Sequence, residues 1–208
     1  MVTVYSANLD TAYAQTDAVF SILPKSTNSG PSWSPNREEN RLEFTHYEVV
    51  PFDFHKACSV WNVPHLYRST KKVFWMVVGD SLDSIARKFR LTKSSMAGSA
   101  LQHVLTRQDG EEGRVVLVWK IFTEGEGVFA GLHSDEVGWA VVSAATSQGL
   151  SNPSTVLQNC MPYKPMHLSR TCEAMEKQFT RLILDARAYD ALEAIIRLKM
   201  TRISLTTP

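Results

Sequence analysis

GRVVLVWKIF, residues 113–122, is apolar on both sides of an extended chain. Successive side chains of a strand point to opposite faces. Val115, Leu117, Trp119 and Ile121 therefore share one face, and Val116, Val118 and Phe122 share the other, with Lys120 as the only charge among them. A sheet wetted on one side alternates apolar with polar residues. This strand instead needs cover on both faces, and the rest of the chain has to supply it.

On either side of it the pattern stays close to period two. Strands are expected at 72–78, 84–91, 99–108, 114–122, 127–133, 137–144 and 154–161. The connections DGEEG (109–113), TEGEG (123–127) and HSDEVG (133–138) carry the glycines and acids of hairpin turns. This is the pattern of a continuous antiparallel meander. Upstream, RLEFTHYEVV (41–50) alternates as a further strand, and PFDFHKACSVW (51–61) reads as a helix with Pro51 in its first turn. LDTAYAQTDAVFSI (9–22) has the spacing of a short amphipathic helix, and KSTNSGPSWSPNREEN (25–40) reads as an exposed connection.

The last element is the longest. Met175, Phe179, Leu182, Ala186, Tyr189, Ile196 and Met200 fall on one broad face of a helix over 171–202, opposite Glu176, Lys177, Arg181, Asp185, Arg187 and Glu193. About 30 residues of helix measure ~45 Å, the length of a whole domain of this size. The fold class that follows is α+β: a curved antiparallel sheet of six to seven strands wrapped around a long C-terminal helix. One face of GRVVLVWKIF points at that helix. The other needs cover from the N-terminal segments or a partner. The expected organisation is one domain over 1–208: an N-terminal helix and connection (1–40), helices and sheet (41–170), and the C-terminal grip helix (171–202).

Composition narrows the function classes. The chain has 208 residues, 44% hydrophobic and 21% charged, with a net charge of +1. There is no basic stripe of the kind that binds nucleic acid. Apolar runs are far shorter than the ~20 residues of a membrane span. The first residues lack the basic flank and apolar core of a signal peptide. Three scattered cysteines, Cys58, Cys160 and Cys172, suit neither a disulfide framework nor a zinc ribbon. A cytoplasmic location is the expectation.

Several strings resemble a known group. LDTAYAQTDAVF (9–20), VVPFDFHKACSVW (49–61), SIARKFRL (84–91), EEGRVVLVWKIF (111–122) and FAGLHSDEVGWAVV (129–142) are similar to START-like helix-grip domains, the superfamily that includes pollen-allergen-type and polyketide-cyclase domains. More closely, they resemble the START-like proteins of oomycetes, some of them labelled mating-specific. None of these strings is a catalytic signature. The resemblance implies a fold and a ligand class, namely lipids, sterols or other apolar small molecules held between sheet and helix, with transient membrane contact during exchange.

The site residues expected on this basis are Trp119, Phe129, Trp139, Met175 and Phe179 as an apolar lining. His103 or Arg107, on the strand SALQHVLTRQ, would meet a polar headgroup, as charged groups do in lipid-transfer START domains. Arg107 also reads as an edge-of-sheet arginine in a salt bridge. Loops at 134–136 and 147–153 are the parts expected to move. No metal, cofactor or catalytic residue is expected. His55 with Cys58, and Cys160 with His167 and Cys172, lack the three or four converging ligands of a zinc site. Two other readings stay open: an interaction module with a filled interior, and a polyketide-cyclase-like enzyme.

Overall fold

The computed structural model describes residues 2–23, 32–36, 41–51, 53–60, 72–75, 84–145, 153–167 and 172–187. The elements run α1 (Val2–Ala14), α2 (Thr16–Ile22), β1 (Ser32–Asn36), β2 (Arg41–Val50), α3 (Phe54–Val60), β3 (Lys72–Trp75), β4 (Ser84–Thr92), β5 (Ser99–Glu111), β6 (Arg114–Glu126), β7 (Leu132–Ala144), β8 (Thr155–Tyr163) and β9 (Pro165–His167). A last helix, α4, occupies 173–187. The rest of the expected grip helix, 188–202, lies outside the described residues, as do most of the 147–153 loop and Trp61.

The strands form one sheet in the order β1-β2-β8-β7-β6-β5-β4-β3, with β9 beside β7. All pairings are antiparallel. From β3 to β8 the order is the expected meander, and β2 returns to pair with β8. The inner face of this sheet packs on α4 at Leu91, Ala100, Leu132 and Tyr163, and on α3, through Ala57, at Leu117, Ala140 and Leu157. This is the α+β helix-grip arrangement.

Several local readings change. Residues 127–133 are not one strand: β6 runs through most of TEGEG to Glu126, Gly127–Phe129 form a 3-10 turn, and β7 starts at Leu132 and runs unbroken through HSDEVG. The acids and glycine of that string look like a solvated turn, yet Ser134, Glu136 and Gly138 lie on the inward face of β7 and are buried. The chain reverses instead at Gly127 and Gly131, whose φ of 65° and 89° glycine adopts without strain. The stretch 25–40, read as a connection, contains β1, an edge strand whose Trp33 sits opposite Phe44. Its proline and serines hide the strand, since proline is tolerated only at a sheet edge. Pro51 stands before α3 rather than inside it. Asp53 caps that helix, its Oδ1 accepting from the Lys56 amide at 2.9 Å.

Phe129 locks the turn. A Cβ on Gly125 would overlap the Phe129 carbonyl, and one on Gly98 would overlap the Phe129 ring. Gly125→Ala is therefore expected to lose about 1–3 kcal/mol, because backbone has to move. Gly110→Ala has open space around it and serves as the control, within about 0.5 kcal/mol of the parent. Equal urea midpoints for the two variants would overturn this account of the turn.

The outer face of GRVVLVWKIF is covered by α1 and α2. Leu9, Ala12 and Phe20 pack on Val116, Val118, Trp139, Val141 and Cys160. Lys120 reaches Asp135 at 2.7 Å. Polar clamps surround the contact. The Trp139 indole donates to the Ala12 carbonyl at 2.7 Å. Arg107 pairs with Asp10 and lies over the Tyr13 ring at 5.0 Å. The Tyr13 hydroxyl donates to Glu111, and Arg114 bridges Glu111 and Asp17.

Hydrogen bonds from Arg114, then from Tyr13, hold the Glu111 carboxyl below its ordinary range, and Arg114 does the same for Asp17. A lowered carboxylate pKa contributes stability that is present above the unfolded value, about 4, and is lost as pH falls through the folded value. The N-terminal helices should therefore loosen below about pH 4, before the sheet unfolds. The Trp139 indole N–H resonance reports the change, and a resonance that stays fixed until global unfolding would refute it.

Candidate ligand-binding site

Register assigns each side chain to a face. On β6, Leu117, Trp119, Ile121 and Thr123 point inward, and through the pairing so do Gln102, Val104 and Thr106 of β5, Arg87 and Phe89 of β4, and Ser134, Glu136 and Ala140 of β7. β8 contributes Leu157, Asn159, Met161 and Tyr163, and β2 contributes Phe44, His46 and Glu48. The helix α4 lays Phe179, Leu182 and Ile183 against Leu91, Ala100, Phe129, Leu132 and Tyr163.

Four of the expected lining residues belong to this inner face. Trp119 packs beside Phe89, Val104 and Ile121. Phe129 and Phe179 meet edge to face, centroids 5.9 Å apart, and Met175 packs against the same cluster. The other three are corrected. His103, Arg107 and Trp139 have the opposite parity and lie on the outer face. His103 is exposed, 3.7 Å from Glu124, and partial desolvation followed by Lys88 keeps its pKa below the usual value. Arg107 and Trp139 fasten α1, so for Arg107 the salt-bridge reading holds. The expected mobile loop 134–136 is likewise corrected, being part of β7.

In their place the inner face carries two polar stations. At the first, Ser134 Oγ donates to Glu136 Oε1 at 2.9 Å, and Arg187 Nε of α4 donates to Glu136 Oε2 at 3.3 Å. Arg187 Nη1 reaches Gln102 Oε1 at 3.5 Å, and Gln102 Nε2 donates to Thr123 Oγ1 at 3.0 Å. Gln102, Thr123, Ser134 and Glu136 are fully buried, and Arg187 is 6% exposed. Arg87, also buried, stands in the same row, three strands away through Val104 and Ile121.

At the second station, the Asn159 amide nitrogen lies 3.2 Å from His46 Nδ1, and Glu48 Oε2 lies 3.4 Å from His46 Nε2. His46 and Asn159 are both more than nine-tenths buried. Between the stations the floor is apolar. The Trp119 ring covers Gly138, leaving no space for a Cβ there. Near the helix, burial raises the pKa of Tyr163, whose hydroxyl lies 3.4 Å from Thr180 Oγ1. On the outside of α4, a groove of about 420 Å³ runs beside Trp33, Thr180, Arg181 and Leu184.

Sequence reasoning missed both stations. The signal was parity: Ser134, Glu136 and Gly138 continue the inward series of Ala140 and Val142 backward, and reading HSDEVG as a turn hid it. Arg187 was placed on the polar face of the helix, although it follows Ile183 by one helical turn.

No family model matches the chain. No curated protein matches it either. Among solved structures, it is similar to the lipid transfer and protein localization domain of human StarD13 at 14% identity, covering 88% of this chain and 95% of that one, with a TM-score of 0.48. A protein of Thermus thermophilus is similar at 9% identity, with 79% and 99% covered and a TM-score of 0.42. A conserved protein of Geobacillus kaustophilus follows at 10%, with 74% and 95% covered and a TM-score of 0.40. No helix among the described residues is long and apolar enough to cross a membrane.

Proposed function

We propose that this chain is a single START-like domain that binds an apolar small molecule, a lipid or sterol, between the inner sheet face and the grip helix, as a carrier or sensor. The observation that carries the reading is the Glu136–Arg187 station, a hydrogen-bonded ion pair buried between the sheet and α4. Such a pair gives little stability, because desolvating two charges offsets their attraction. A few convergent polar groups in an apolar surround are, by contrast, what fixes the orientation of a small ligand. Trp119, Phe129, Met175 and Phe179 would form the apolar lining. Burial at roughly 25 cal/mol per Å² would drive uptake.

The strings quoted above support the further proposal that the chain is one of the START-like proteins of oomycetes, working in the cytoplasm with transient membrane contact and no nucleic-acid partner. The decisive experiment is native mass spectrometry after incubation with a mixed lipid extract. A lipid or sterol retained at near one per chain supports the reading. A clean apo mass refutes it.

The second reading, a non-catalytic interaction module with a filled interior, is favoured by the closeness of the packing. Phe89, Phe129, Tyr163, Phe179 and Ile183 are fully buried, and Trp119 lies directly on Gly138. A clean apo mass is the result this reading expects.

A further inference from the structure

We infer that the ligand of this site is hydroxylated at both ends, an apolar skeleton bearing one hydrogen-bonding group for each polar station. This rests on the proposed function and sharpens it. Glu136 and Ala140 are inward positions four residues apart on β7, and Asn159 pairs with Ala140 on β8. At ~3.4 Å per residue and ~4.8 Å between strands, the two stations stand ~14 Å apart at the backbone. Their side chains reach inward from there, and Trp119 over Gly138 forms the apolar floor between them.

A headgroup-and-tail lipid has one polar end and needs one station. Here there is a second station, in which His46 and Asn159 are more than nine-tenths buried and the Glu48 side chain is 23% exposed. A single apolar tail would present no group to this second station. The chemistry of the ends follows from the donor sets. Each station joins a carboxylate, Glu136 or Glu48, to nitrogen groups, Arg187 with Gln102 or His46 with Asn159. A carboxylate or phosphate on the ligand would compete with Glu136 for Arg187 at one end and stand beside Glu48 at the other. A hydroxyl donates to the carboxylate and accepts from a nitrogen.

The test is calorimetric titration of the full chain with α,ω-alkanediols of graded length, the matching 1-alkanols and the matching α,ω-dicarboxylates. The expected result is an affinity maximum at one diol length. That diol should bind about tenfold more tightly than its mono-alcohol, the worth of one well-placed buried hydrogen bond. The dicarboxylate of equal span should bind more weakly than the diol. Asn159→Leu should abolish the advantage of the diol over the mono-alcohol. The comparison of ligands on the unaltered protein stands even where that variant fails to fold.

Equal affinity of diols and mono-alcohols at every length, tighter dicarboxylate binding, or no binding of any alcohol would overturn the inference. The lipid-extract experiment separates the two failures. A retained lipid with no diol preference leaves the proposed function standing, and a clean apo mass removes both.

Discussion

Phe179→Ala is expected to lower folding stability by about 3–5 kcal/mol. The ring is fully buried at the point where α4 meets the sheet, among Leu91, Ala100, Phe129, Leu132 and Tyr163. Its truncation removes the edge-to-face contact with Phe129 as well as the transfer energy of the ring. The gap left behind cannot collapse readily. Phe129 is fixed by its own turn, with Gly125 under its carbonyl and Gly98 under its ring. A domain has about 5–15 kcal/mol in total, so this one change removes a large fraction of it. Phe179→Leu keeps most of the apolar volume and should cost less than half as much. Urea unfolding followed by circular dichroism measures both. Equal, small losses for the two variants would show that the helix contributes little to the grip.

That prediction uses a residue the sequence placed correctly, and the reason is instructive. Phe179 sits in a helical stripe whose period is unambiguous over several turns, so its inward direction needs no knowledge of the sheet. The two-sided strand at 113–122 was legible for the same kind of reason: its parity is fixed by its own apolar residues, and α1 with α2 cover its outer face as expected, whereas the inner cover at Leu117 and Trp119 comes from α3 instead of the C-terminal helix. β1 was not legible, because an edge strand answers to one neighbour only and can carry Pro35 and exposed serines.

The polar site was harder. His103 and Arg107 were chosen because they are charged residues on a strand, but direction is a property of register. Their partners Phe122 and Val118 point outward, so they do too. The inward positions of the same strand hold Gln102, Val104 and Thr106, whose modest polarity gives no local sign of a site. Glu136 was hidden by a turn-like string, and Arg187 by a face assignment one step off in the helix. A buried charge violates the pattern that sequence reading relies on, so Glu136 and Arg187 are residues the pattern assigns to solvent.

Arg187→Met is expected to cost about 3–5 kcal/mol, because it leaves Glu136 fully buried without its guanidinium. Glu136→Leu should be similarly damaging, since it leaves Arg187 buried with one partner fewer. The double variant should recover most of the loss and return to within about 1 kcal/mol of the parent, as replacement of a buried pair by apolar groups of similar volume does. The coupling of the two changes, read from a double-mutant cycle in urea, should thus be large and favourable to the double variant. Ligand capture should behave differently. If the pair orients the polar end of a ligand, the double variant will be stable and will fail to retain lipid in native mass spectrometry. If the pair only fixes the register of α4 on β7, the stable double variant will retain lipid as the parent does. Stability and retention therefore part company in one protein sample, and the first outcome alone is compatible with a binding role for Glu136 and Arg187.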